Sequence, residues 1–94
     1  MKKRAHIIVN GRVQGVGFRM CSVDRAEKLN LVGWVRNRDD GCVEIVAEGN
    51  ETDVEAFCEW CKTGPELANV VGTRMTYSDA TDEFDSFGIR HSQP

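Results

Sequence analysis

The stretch Gly33–Gly49, GWVRNRDDGCVEIVAEG, decides the fold. Before Asp40-Gly41, Val35 and Asn37 fall on one side of an extended chain, and Trp34, Arg36 and Arg38 fall on the other. After it, Val43, Ile45 and Ala47 again share a side. An Asp-Gly pair between two alternating runs is the signature of a two-residue hairpin. The middle of the chain therefore reads as an antiparallel hairpin whose apolar face is turned towards helices.

Working outward, MCSVDRAEKLNL (residues 20–31) sets Ser22, Ala26 and Leu29 on one helical face, with Val23 and Leu31 nearby and charged residues opposite. Gly33 reads as the stop of this helix. Further upstream, Ile7-Ile8-Val9 opens a strand that runs into Gly11. Downstream, Asn50, Thr52 and Asp53 supply capping groups for a second helix from Glu51 to about Lys62, which Gly64-Pro65 ends. Asn69 to Tyr77 and the shorter Phe84 to Arg90 read as strands, joined by the polar run SDATDE. The order is strand, helix, hairpin, helix, strand and a short extra strand. Two helices cover one face of such a sheet, which predicts a single α+β domain over residues 1–94, a two-layer sandwich of the split βαβ kind with an antiparallel sheet.

The net charge of −3 hides a division. Residues 1–38 carry nine Lys/Arg against two Asp/Glu, whereas residues 39–94 carry three against thirteen. An anion is drawn to the first half, around Arg12 and Arg19, unless the run is simply a solvated face. The acidic second half argues against a nucleic-acid partner, which calls for a broad basic face. No apolar run approaches the ~20 residues of a membrane helix. The basic MKKRAH start is followed by too short an apolar run for a signal peptide, so a cytoplasmic protein is expected, with no membrane partner.

Four cysteines, Cys21, Cys42, Cys58 and Cys61, suggest neither a disulfide scaffold nor a metal centre. Cys58 and Cys61 form a lone CxxC, and His6 and His91 lie near opposite ends. One turn apart on a helix beside Val54 and Phe57, the two thiols read as packing groups.

The loop between the first strand and first helix, GRVQGVGFR (residues 11–19), is richer chemically. Gly15 and Gly17 let successive N–H groups turn inward, and a helix start with free N–H groups attracts phosphate or carboxylate. Arg19 adds a planar fork that matches two phosphoryl oxygens. A purely structural loop fits the same spacing, because GxG turns are common. There is no GK[ST] for a nucleotide loop and no completed GxGxxG. A cysteine phosphatase would need its thiol before the loop, and Cys21 follows it.

GRVQGVGFR followed by GWVRNRDDGCVEI resembles the acylphosphatase family, and AEKLNLVGW and FCEWCKTGP add to the likeness, which covers residues from about 6 to 90. The resemblance implies a ferredoxin-like sandwich and an acylphosphatase that hydrolyses acyl phosphates to a carboxylate and inorganic phosphate, with no cofactor and no metal. It puts the phosphate-binding loop on Val13, Gln14, Gly15, Val16, Gly17, Phe18 and Arg19, the catalytic arginine on Arg19 and the water-positioning asparagine on Asn37. By position alone Asn37 reads as a turn residue and Arg19 as a surface charge. Chemically the assigned roles are coherent. Phosphoryl transfer depends on positioning and electrostatic stabilisation, and a carboxylate leaves without a general acid.

The chain departs from the family pattern at Met20-Cys21-Ser22, where aromatic residues and threonine are usual, and at Asn30, where glycine is common. Asn tolerates the left-handed geometry. Cys21, at a helix start near Arg19, is a position where modification could obstruct the anion site; an inert packed thiol is the alternative. A monomer is expected, acting on small acyl phosphates. A sensor that only binds phosphate, and an RNA-binding module using Trp34 between Arg36 and Arg38, are the competing readings.

Overall fold

A computed structural model describes residues 1–91. The elements run β1 (Lys2–Arg12), α1 (Phe18–Lys28), β2 (Val32–Asn37), β3 (Val43–Asn50), α2 (Glu51–Cys61), β4 (Asn69–Asp79) and β5 (Phe87–Ile89). The sheet order is β4-β1-β3-β2-β5. The four longer strands pair antiparallel, the split βαβ arrangement, while β5 adds to β2 in parallel and makes the sheet mixed.

Alternation places the core. Ala5, Ile7 and Val9 of β1, Val35 of β2, and Val43, Ile45 and Ala47 of β3 are fully buried, facing Phe18 and Ala26 of α1 and Val54 and Phe57 of α2. Cys58 and Cys61 lie in the same layer, and all four cysteines are free. Burial pushes the Cys58 thiol above its ordinary pKa and the Cys61 thiol well above it, as suits packing groups rather than ligands.

Gly33 does not stop α1; it lies inside β2. Its φ is 138°, and a Cβ there would collide with the Val46 carbonyl oxygen, so the two strands approach as closely as they do only because it is glycine. The helix is ended instead by Asn30, at φ 58°. The Leu31 amide donates to the Ala26 carbonyl at 2.8 Å and the Asn30 amide to Glu27 at 3.1 Å, a Schellman pair with Asn in the left-handed seat.

The hairpin is also one residue longer than the Asp-Gly pair predicts. The Arg38 amide donates to the Cys42 carbonyl at 2.8 Å and the Gly41 amide to the Arg38 carbonyl at 3.2 Å, leaving Asp39, Asp40 and Gly41 in the loop. Asp40 accepts the Cys42 amide at 3.1 Å and pairs with Arg38 at 2.9 Å, and these contacts hold its carboxyl below the ordinary range. The strands still pair in the register that puts Asn37 beside Val43.

Away from the helices, Glu48 is 2% exposed despite its charge. The segment between β4 and β5 passes over it. Glu48 accepts the amides of Thr81 and Asp82 at 3.0 and 3.1 Å, the Thr81 hydroxyl at 2.9 Å and the Arg4 Nε at 2.7 Å. Burial alone would raise this carboxyl, but the four donors outweigh it and hold its pKa below the ordinary value of 4.5. Trp34, on the same side, is covered by the guanidinium groups of Arg90 and Arg36, at 4.6 and 5.9 Å from the ring centre.

Candidate functional site

Past Arg12 the chain leaves the sheet and turns into α1, with Val13 and Val16 buried beneath it and Phe18 anchored in the core. The Phe18 ring packs against Trp60 at 5.4 Å, and Ser22 donates its hydroxyl to the Phe18 carbonyl at 2.7 Å. These contacts fix the first turn of the helix.

Gly15 and Gly17 stand at φ 76° and 81°. A Cβ at either would meet nothing within 4 Å, so glycine is required by backbone conformation and not by crowding. Gly17 is the N-cap of α1, without a side-chain cap. Among the described residues, no backbone amide from Gln14 to Met20 donates to a protein acceptor; the Cys21 amide, bonded to Gly17 at 3.0 Å, is the first that does. A run of unpaired amides at the positive end of a helix is an anion cradle.

Arg19 is half-buried and has no carboxylate partner among the described residues. Opposite, Asn37 ends β2, and its side-chain Oδ1 is buried without a hydrogen-bond partner. A buried carbonyl oxygen with nothing to accept is uncommon, because the loss of hydration is uncompensated. The Asn37 residue as a whole lines open space. A cavity of ≈330 Å³ is lined by Val13, Gly15, Gly17, Phe18, Arg19 and Asn37, together with Met20, Ile89 and His91. That volume suits a small ligand.

Six of the eight residues predicted for the site thus come together around one cavity. Gln14 and Val16 do not line it. Val16 is buried beneath the loop, and Gln14 points to the hairpin, where its Nε2 donates to the carbonyls of Arg38 and Cys42 at 2.8 and 2.9 Å. Arg12 is exposed and also lies outside the lining. Met20, Ile89 and His91 were not foreseen. Met20 follows directly from its place beside Arg19 at the helix start, whereas Ile89 and His91 arrive through the parallel pairing of β5. Cys21 does not touch the cavity; it lines a neighbouring groove. Among the described residues no three His, Cys, Asp or Glu side chains gather as metal ligands, and no helix is long and apolar enough to cross a membrane.

The family model described as Acylphosphatase matches residues 5–89. A curated acylphosphatase from Methylococcus capsulatus is 47% identical over 87 residues, covering 93% of this chain and 95% of the relative. The crystal structure of acylphosphatase from Bacillus subtilis superposes with a TM-score of 0.90 at 44% identity, over 94% of this chain and 98% of that one. An acylphosphatase from Coxiella burnetii gives 0.89 at 35% identity, over 95% and 93% of the two chains.

Proposed function

The chain belongs to the acylphosphatase family, and from that premise we propose that the ≈330 Å³ cavity is where it hydrolyses acyl phosphates by direct attack of water on phosphorus. The phosphoryl group sits in the cradle of amides between Gln14 and Met20, with Arg19 on two of its oxygens. Charge that spreads over the equatorial oxygens in the transition state meets donors already in place. Val13, Gly15, Gly17 and Phe18 shape the cradle; Gln14 and Val16 hold it from behind.

Asn37 takes the water. Its Oδ1 accepts one O–H and turns the lone pair of the water oxygen towards phosphorus. The new P–O bond forms as the bond between phosphorus and the acyl oxygen breaks, and the electron pair leaves on the carboxylate. The water proton passes to a phosphoryl oxygen, so RCOOPO₃²⁻ and H₂O give RCOO⁻ and H₂PO₄⁻. No side chain need act as general acid, because a carboxylate is stable as it departs. The reading needs neither metal nor organic cofactor, and a cytoplasmic monomer acting on a small substrate is sufficient for it.

The observation that carries this reading is a single cavity lined both by Asn37 and by Arg19 with the glycine loop whose amides are unpaired. A steady-state assay of phosphate release from benzoyl phosphate tests it, with inorganic phosphate as competitor. Turnover with competitive inhibition is expected. Phosphate binding without turnover would identify a sensor instead.

A further inference from the structure

Alongside the cavity runs a second depression, of ≈420 Å³, lined by Met20, Cys21, Val23, Asp24, Glu27 and Ile89. Two of these, Met20 and Ile89, also form the cavity wall, so the two spaces adjoin across these side chains. Met20, Val23, Asp24 and Glu27 follow the spacing of a single stripe along α1. Its floor is apolar. Met20 is 73% and Ile89 39% exposed, large side chains left open to water where a phosphoryl ligand would end. A flexible thioether adapts to varied apolar shapes.

The far rim has the opposite character. Asp24 has only Lys28 for a partner, at 3.7 Å, with both groups well exposed, and Glu27 has no cation beside it among the described residues. Exposed pairs of this kind neutralise little. Acid at one end and the Arg19 cradle at the other give the adjoining spaces a polarity.

Building on the acyl phosphate reading above, we infer that this groove receives the acyl group, and that the enzyme selects uncharged, apolar acyl phosphates over those bearing a second anionic group. The apolar body of an acyl chain displaces water from Met20 and Ile89 while its phosphate is held in the cradle. A distal carboxylate would be carried towards Asp24 and Glu27 instead.

The test compares kcat/KM for benzoyl, acetyl and succinyl phosphate in wild type, Asp24→Asn/Glu27→Gln and Met20→Ser. All three positions are exposed and the variants fold; circular dichroism checks this. Neutralising the rim is expected to raise the succinyl-to-acetyl ratio about fivefold at low ionic strength, with the gain shrinking as salt is added. Met20→Ser is expected to lower the benzoyl-to-acetyl ratio about tenfold. Ratios that stay fixed in both variants, while all three substrates are still hydrolysed, overturn the inference and leave the parent reading intact. A wild type that hydrolyses none of the three overturns both.

Discussion

The side-chain amide of Gln14 donates a 2.8 Å hydrogen bond to the carbonyl oxygen of Arg38, tying the loop before α1 to the hairpin that carries Asn37. A second bond from the same nitrogen reaches the Cys42 carbonyl at 2.9 Å. The two halves of the site are thus held in register by a residue that does not face the cavity.

Gln14→Ala is therefore expected to act through position. Each of the two carbonyls loses its second donor and keeps a backbone one, which costs ~0.5–1.5 kcal/mol of stability by urea unfolding. Displacement of the cradle relative to Asn37 should lower kcat at least ~10-fold. A variant that unfolds earlier yet turns over normally would mean that the tie is structural alone.

Arg19→Ala and Asn37→Ala should each lower kcat/KM by ~10² or more. Their stability effects are small and differ in origin. Arg19 has no ion pair to lose among the described residues, and Asn37→Ala removes an oxygen already without a partner, so its unfolding free energy in urea should change by no more than ~1 kcal/mol. Kinetics and unfolding on the same preparations check both.

Gly33→Ala should be the most damaging single-methyl change in the sheet. The added carbon meets the Val46 carbonyl, which is backbone and held in the ladder, at a φ that side chains rarely adopt. A loss of ~3 kcal/mol or more is expected, read as a lowered urea midpoint or loss of soluble protein.

Glu48 makes folding sensitive to acid. Its folded-state pKa lies below the ordinary 4.5, so the unfolded chain takes up the proton more readily. The stabilisation is complete above 4.5 and is lost as pH falls through the folded-state value. Asp40 and Glu44 are also held low and add to the loss on acidification: Asp40 by the Cys42 amide and Arg38, Glu44 by hydrogen bonds from His6 and Arg36 that outweigh its burial. Comparison of wild type with Glu48→Gln isolates the one carboxylate. Wild type should be the more stable at neutral pH, with the gap closing as the solution is acidified.

Periodicity made the four long strands, both helices and the glycine loop legible, since each is a local pattern. Val35 and Asn37 could be placed on the inner face from alternation, and Asn30 in the left-handed seat from its chemistry. Glu48 could not be read this way. Alternation puts it on the open side, where a carboxylate is ordinarily solvated, and only the passage of Thr81 and Asp82 overhead buries it. Gly33 is ambiguous in the sequence because a glycine after a helical pattern signals a stop just as well as a close strand crossing. Ile89 and His91 depend on three residues pairing in parallel with a strand more than fifty positions earlier, and no local motif encodes that register.

The parallel addition of β5 divides the depression along α1 into parts with separate origins. The amides and Arg19 come from one short span near the start, whereas Ile89 and His91 are delivered by a strand anchored through the Gly33 amide to Ser86 at 3.0 Å and the Arg90 amide to Val35 at 2.8 Å. Sequence drift between β4 and β5 can therefore reshape one bank of the channel without disturbing the other. The two banks are thus encoded by separate spans of the chain.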